Sequence, residues 1–269
     1  MKLDMNIAWR DATAMIAANR EVLLIVAGIF FFLPGLAMTF AMPDLTSAAE
    51  NPEQLFQMFA EFYTSFWWLM LISYVLQILG YLTLLTLLRD DRKPTVGEAL
   101  RAGLVSLLPA IGAYLIMSFG MGMVAALIAG IGFATGAQAV IGIAIVALMV
   151  LMFYAAIKFS LTGAVIAIDK VRNPISALAQ SWRLTKGNSA RLFGFFLLIL
   201  IVYFVASLLV GMVLSLLLLV LGAEIGLIVS GVVSGALSAI ATLVFVAALA
   251  ASHRQLSGDT STNVDDVFG

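Results

Sequence analysis

The order of the charges constrains this chain more than any other feature. Six long apolar runs, near 21–43, 66–88, 103–131, 139–168, 191–221 and 225–252, alternate with short polar stretches. Lys2, Arg10 and Arg20 precede the first run, and Arg89, Arg92, Lys93 and Arg101 lie around the gap between the second and third. Lys158, Lys170, Arg172, Arg183, Lys186 and Arg191 lie around the gap between the fourth and fifth, and Arg254 follows the sixth. These are all 14 lysines and arginines. The intervening gaps hold Asp44, Glu50, Glu53, Glu61 and Glu224, and no base. If each run crosses a membrane once, every cation falls on one side. A different number of crossings would scatter them over both. The positive-inside rule then makes that side, with both termini, cytoplasmic.

The runs have the length this requires. A hydrocarbon core takes about 20 helical residues to cross. The last four runs have roughly 28–31, so they are expected to tilt or to project beyond it. Only 11% of the residues are charged and 63% are hydrophobic, against about 25% charge in an average soluble domain. The expected fold is therefore an all-α integral membrane protein: six transmembrane helices in residues 1–254, short amphipathic surface helices, and a disordered cytoplasmic tail at 255–269. The first run is not read as a signal peptide, because a stretch of mixed charge precedes it and it is long for such a segment.

The absence of cysteine and the presence of a single histidine, His253, exclude thiol catalysis, cysteine-ligated metal and a serine–histidine triad within the membrane. No cofactor, no metal and no nucleic-acid partner is implied.

The gap before the fifth run reads "NPISALAQSWRLTKGNSARLFGFF". Asn173 is an N-cap, Pro174 fits the first helical turn, and Gly187 ends the helix. Ile175, Leu178 and Trp182 form a stripe opposite Gln180, Arg183 and Lys186, which predicts a helix on the cytoplasmic leaflet with Trp182 among the headgroups. "KPTVGEALRAGL" at 93–104 carries a Thr95–Glu98 capping box and a second stripe. "MNIAWRDATAMIAANRE" carries a third, with Met5, Ala8 or Trp9, Ala12 and Met15 or Ile16 on one side. Each segment is followed by two runs, so three repeated units of surface helix plus helical hairpin are expected. On the opposite side, "NPEQLFQMFAEFYTSFWW" predicts an outer-leaflet helix with Leu55, Phe59, Phe62 and Phe66 on one face, feeding a second span.

These segments carry a resemblance. "RNPISALAQSWRLTKGNSARLFGFF", "WRDATAMIAANREVLLI" and "EALRAGLVSLLPAIGAYLI" resemble the glycerophosphoryl diester phosphodiesterase membrane-domain family, in its stand-alone six-span form of the YciC type. The resemblance implies a polytopic bacterial inner-membrane protein. Some relatives fuse this unit to a soluble phosphodiesterase; no such domain is found in this chain, so no enzyme activity carries over.

Ionisable residues near membrane depth are the first candidates for a site. Lys158 lies in the cytoplasmic half of the fourth run. It is expected either to snorkel to the headgroups, which its four-carbon stem favours, or to point inward towards Tyr154, Ser160 or Glu21. Glu21 itself starts the first span. With Trp182, Arg183, Lys186 and Arg191 these residues form the expected lipid or polar site. Pro34 and Pro109 are expected to kink their helices. The small residues Ser207, Gly211 and Ser215, and Gly226 to Ser238, are expected to pack the last hairpin or a dimer face. The function expected is lipid-facing: binding or moving lipid in membrane or envelope homeostasis, with anionic headgroups as partners. The alternatives are a scaffold or accessory subunit of a membrane complex, and a small-molecule transporter.

Overall fold

The computed structural model describes residues 2–43, 51–89 and 94–258. Among them the chain is helical throughout, with no strand, and six helical spans are long and apolar enough to cross a membrane.

α1 (Met5–Ala18) starts where the Asp4 carboxylate accepts from the Asn6 and Ile7 amides. The first span follows a single-residue break at Asn19 and is built from α2 (Arg20–Ala27), a π-helical turn (Gly28–Phe32) and α3 (Leu33–Ala41). Pro34 explains the π turn. It has no amide hydrogen for the carbonyl four residues back, and the Leu33 amide just before it reaches back five residues to the Gly28 carbonyl. Pro109, by contrast, sits inside an unbroken helix.

Two expected surface helices are not separate. α4 runs unbroken from Pro52 to Leu87, 36 residues, with Asn51 capping the Glu53 and Gln54 amides. The outer helix is its first turns, since nothing between them and Phe66 breaks a helix; Asp44 and Glu50 lie outside the described residues. The Thr95–Glu98 capping box is present, but it opens α5 (Val96–Ala134, 39 residues), so the middle surface helix is the foot of the third span. Of the three repeated units, the first and third keep a separate short helix before the span and the second does not.

The fourth span is broken where continuity was expected. α6 (Gln138–Phe159) ends at Ser160 and Leu161, and α7 (Thr162–Ala167) continues inward, buried along its whole length. At the break, Gly163 lies so close to the Tyr81 ring of α4 that a Cβ there would overlap it. α8 (Pro174–Leu184) is capped by Asn173 as expected, and Gly187 turns the chain at φ +80°. α9 (Ser189–Leu221) and α10 (Ala223–Ser257) form a hairpin about Gly222, at φ +78°. α10 runs past the expected start of the tail, and Gln255 is buried within it.

The core lies at the basic end of the bundle. Leu82, Leu84 and Leu85 of α4, Leu161 to Ala167, Leu192 and Phe195 of α9, and Val246 to Ala251 of α10 are buried there together. Toward the other end the helices present apolar side chains outward, as at Leu127, Ile143 and Leu216. Lipid is the solvent for those faces, so close packing rather than the hydrophobic effect must hold the helices together there. The small residues of α10 serve this within the chain: Gly235 admits the Phe32 ring and Gly231 admits Thr39, Leu36 and Phe40 of the first span. The expected ridge on α9 has no such partner among the described residues, where a Cβ at Gly211 would meet nothing. Ser207 and Ser215 donate to the Phe204 and Met212 carbonyls of their own helix.

Long-range polar contacts gather the basic segments at one end. Arg254 pairs with Asp11 at 2.8 Å, and His253 Nε2 lies 3.1 Å from Asp169 Oδ2, which also accepts from Gln180. The Leu3 amide donates to Asn188, the Asp4 amide donates to Gln255, and Arg191 donates to the Leu3 carbonyl. The N-terminus, the loop after α7, the foot of α9 and the end of α10 therefore meet on one face, as six crossings require.

Candidate functional site

The break after α6 sets up the candidate site. Helix ends leave carbonyls without intrahelical partners. Here the Lys158 carbonyl accepts from the Ser181 hydroxyl at 2.9 Å and the Thr185 hydroxyl at 3.4 Å, both from α8 and its end. Ser181, Ala177 and Leu178 are buried. α8 therefore docks on protein through a small-residue face, and does not lie free on a leaflet. The expected stripe is split: Leu178 faces in, while Ile175 and Trp182 remain exposed.

Lys158 is packed against aromatic rings. Its side chain is 4% exposed, with the ammonium 5.1 Å from the Trp182 ring centre and 5.5 Å from that of Tyr154. The two rings meet edge to face at 5.7 Å, and Phe159 also packs on Trp182, ring centres 5.5 Å apart. Charge at a helix C-terminus and over aromatic faces offsets part of the cost of removing an ammonium from water. Tyr154 had been expected as an inward partner; Glu21 is not one, being exposed in the first turn of α2 without a contact to Lys158. Arg183 and Lys186 are exposed beside the cage, and Arg191 is turned to the N-terminal strap. Of the six expected site residues, then, the structure brings Lys158 and Trp182 together, leaves Arg183 and Lys186 exposed on and just after α8, and places Glu21 and Arg191 elsewhere.

The polar residues that sequence reasoning missed are Asp169, His253, Asn188 and Gln255. Each sits at the end of an apolar run, where its side chain reads as an ordinary interfacial group. Its partner lies 84 to 251 residues away.

Two apolar grooves flank α9, each with α10 as floor. One, of about 430 Å³, lies toward α6 and is lined by Phe153, Ile157, Phe193, Leu200 and Phe245. The other, of about 450 Å³, lies toward α1 and is lined by Trp9, Phe195, Leu198, Val202 and Val244. Ile199, Tyr203 and Ala241 line both, so α9 stands as a partition between them. These volumes fall in the range of small-molecule sites.

The family described as a domain of unknown function, DUF7847, matches residues 6–256. The chain belongs to this family. The DUF7847 domain thus spans everything from α1 to the last turn of α10, including the cage and both grooves. No curated protein and no solved structure matches the chain.

Proposed function

We propose that this DUF7847 protein is a phospholipid-binding protein of the bacterial inner membrane, with both termini in the cytoplasm. The observation that carries the reading is the pair of apolar grooves beside α9, on a helix long and apolar enough to cross a membrane. At that position the available occupant is an acyl chain. The exposed Arg183 and Lys186 at the basic end suit an anionic headgroup, at about 1 kcal/mol per basic residue near the surface. The cytoplasmic placement rests on the basic segments meeting on one face. The segments that resemble the glycerophosphoryl diester phosphodiesterase membrane-domain family build α1, the foot of α5, and α8 with the start of α9, which supports a kinship in that direction. The reading assigns no catalytic role.

A second reading, a scaffold or accessory subunit, is favoured by the unpartnered Ser207, Gly211 and Ser215 face of α9, where a partner helix could approach closely.

The test is the lipid carried through purification. Ala241→Trp fills both grooves, and Arg183→Gln with Lys186→Gln removes two rim charges. The first should lower total bound phospholipid. The second should lower the anionic fraction, with the difference from wild type shrinking at high salt. Unchanged lipid in both variants, with a partner protein co-purifying, would replace this reading by the second.

A further inference from the structure

A buried cation without an anion is the feature that lipid binding in the grooves leaves unexplained. Lys158 is 4% exposed, yet among the described residues its ammonium meets no carboxylate and no hydrogen-bond acceptor, only two rings. Those rings bring donors of their own. Neither the Trp182 indole N–H nor the Tyr154 hydroxyl has a hydrogen-bond partner among the described residues. Three donors without an acceptor among the described residues thus belong to one cluster of side chains. A charge so far out of water is ordinarily paired. The ligand that completes the group is an anion with several oxygens.

Two further observations favour phosphate. The first is depth: the Lys158 carbonyl is bonded to Ser181 and Thr185, so the cage lies level with α8, the helix that carries the exposed Arg183 and Lys186. In a membrane oriented as proposed, that end of the bundle meets the headgroups, where the phosphate of a lipid is the abundant anion. The second is access: Trp182 is 40% and Tyr154 46% exposed. The rings are a cover one side chain thick, and a rotation of Trp182 opens the ammonium to the lipid side. We propose that Lys158, Trp182 and Tyr154 form a subsite for a phosphate group, carried by a phospholipid or by a free phosphate. It rests on the lipid-binding reading for its first source, and is distinct from the grooves, whose α6 lining at Phe153, Ala156, Ile157 and Ser160 omits both Lys158 and Tyr154.

The experiment uses the full chain, delipidated in detergent, titrated separately with phosphatidylglycerol and inorganic phosphate. Binding is read by native mass spectrometry and by the shift in thermal unfolding. Lys158→Met should weaken phosphatidylglycerol binding about tenfold or more, the loss expected for removing a charged hydrogen-bond partner. Trp182→Phe keeps the ring, removes the N–H, and should weaken it less. Inorganic phosphate that stabilises wild type but not Lys158→Met would identify a free phosphate as the source; an effect of the lipid alone would identify the headgroup. Wild-type affinity for both ligands in Lys158→Met overturns the subsite. If that variant does not fold, unchanged affinity in a folded Trp182→Phe overturns it. Should Lys158→Met bind lipid normally while Ala241→Trp loses it, the subsite fails and the groove reading stands. Should no variant or wild type retain lipid while phosphate binds wild type alone, the reverse holds.

Discussion

At the scale of single residues, Gly163 shows how one missing atom shapes a span. Its place against the Tyr81 ring lets α7 turn inward and be buried from Thr162 to Ala167. Gly163→Ala should destabilise the protein by about 1–3 kcal/mol, because close-packed interiors resist added volume. Thermal unfolding in detergent measures this. Tyr81→Leu in the same chain should recover much of the loss, so the double-mutant cycle should be strongly non-additive. Additive effects would mean that the ring is not what the new methyl meets. Neighbouring Thr162 has a buried hydroxyl with no hydrogen-bond partner among the described residues. Thr162→Val should therefore be neutral or stabilising, since it replaces an unsatisfied polar group by an apolar one of similar shape.

At the scale of elements, α1 is held by a strap of polar contacts as well as by its small buried face at Ala8 and Ala12. The Leu3 and Asp4 amides are bound by Asn188 and Gln255, and the Leu3 carbonyl by Arg191. Replacing Asn188 and Gln255 together by alanine leaves the buried Leu3 amide and the part-buried Asp4 amide without these partners. Hydrogen exchange in α1 should then accelerate while α4 stays protected; equal protection in the variant would show that the face alone holds the helix. The elements also show what a sequence can reveal. Asn51, the Thr95–Glu98 box and Asn173 with Pro174 are local chemistry, and each marks a true helix start. The separateness of the outer helix and the middle surface helix was misjudged. A helix does not stop where lipid begins, and no residue in those stretches forces it to. The break in the fourth span was illegible because its companion, Tyr81, is remote in sequence. The cage was legible only as alternatives: Lys158 and Tyr154 share one helix face, but Trp182 arrives from α8. The strap left no trace in any local pattern.

At the scale of the whole molecule, the gathering of basic segments at one end makes topology a single binary outcome. In the proposed orientation, a cysteine in place of the exposed Thr135, between α5 and α6, should react with an impermeant thiol reagent applied to intact cells, and one in place of the exposed Ser176 on α8 should not. Labelling of the Ser176 position from outside would invert the orientation. The strap has a further consequence, in time. Residues 4 and 255 are 251 positions apart, yet they bind each other. At ordinary synthesis rates of about 5–20 residues per second, the first helix waits roughly 10–50 s for the partner that fixes it. Throughout that interval α1 lacks its main docking surface, because α10, the helix it packs on most, has not been completed. α1, made before every other described helix, is therefore among the last to be fixed in place. A chain that stops short of α10 lacks the partner of its own amphipathic first segment.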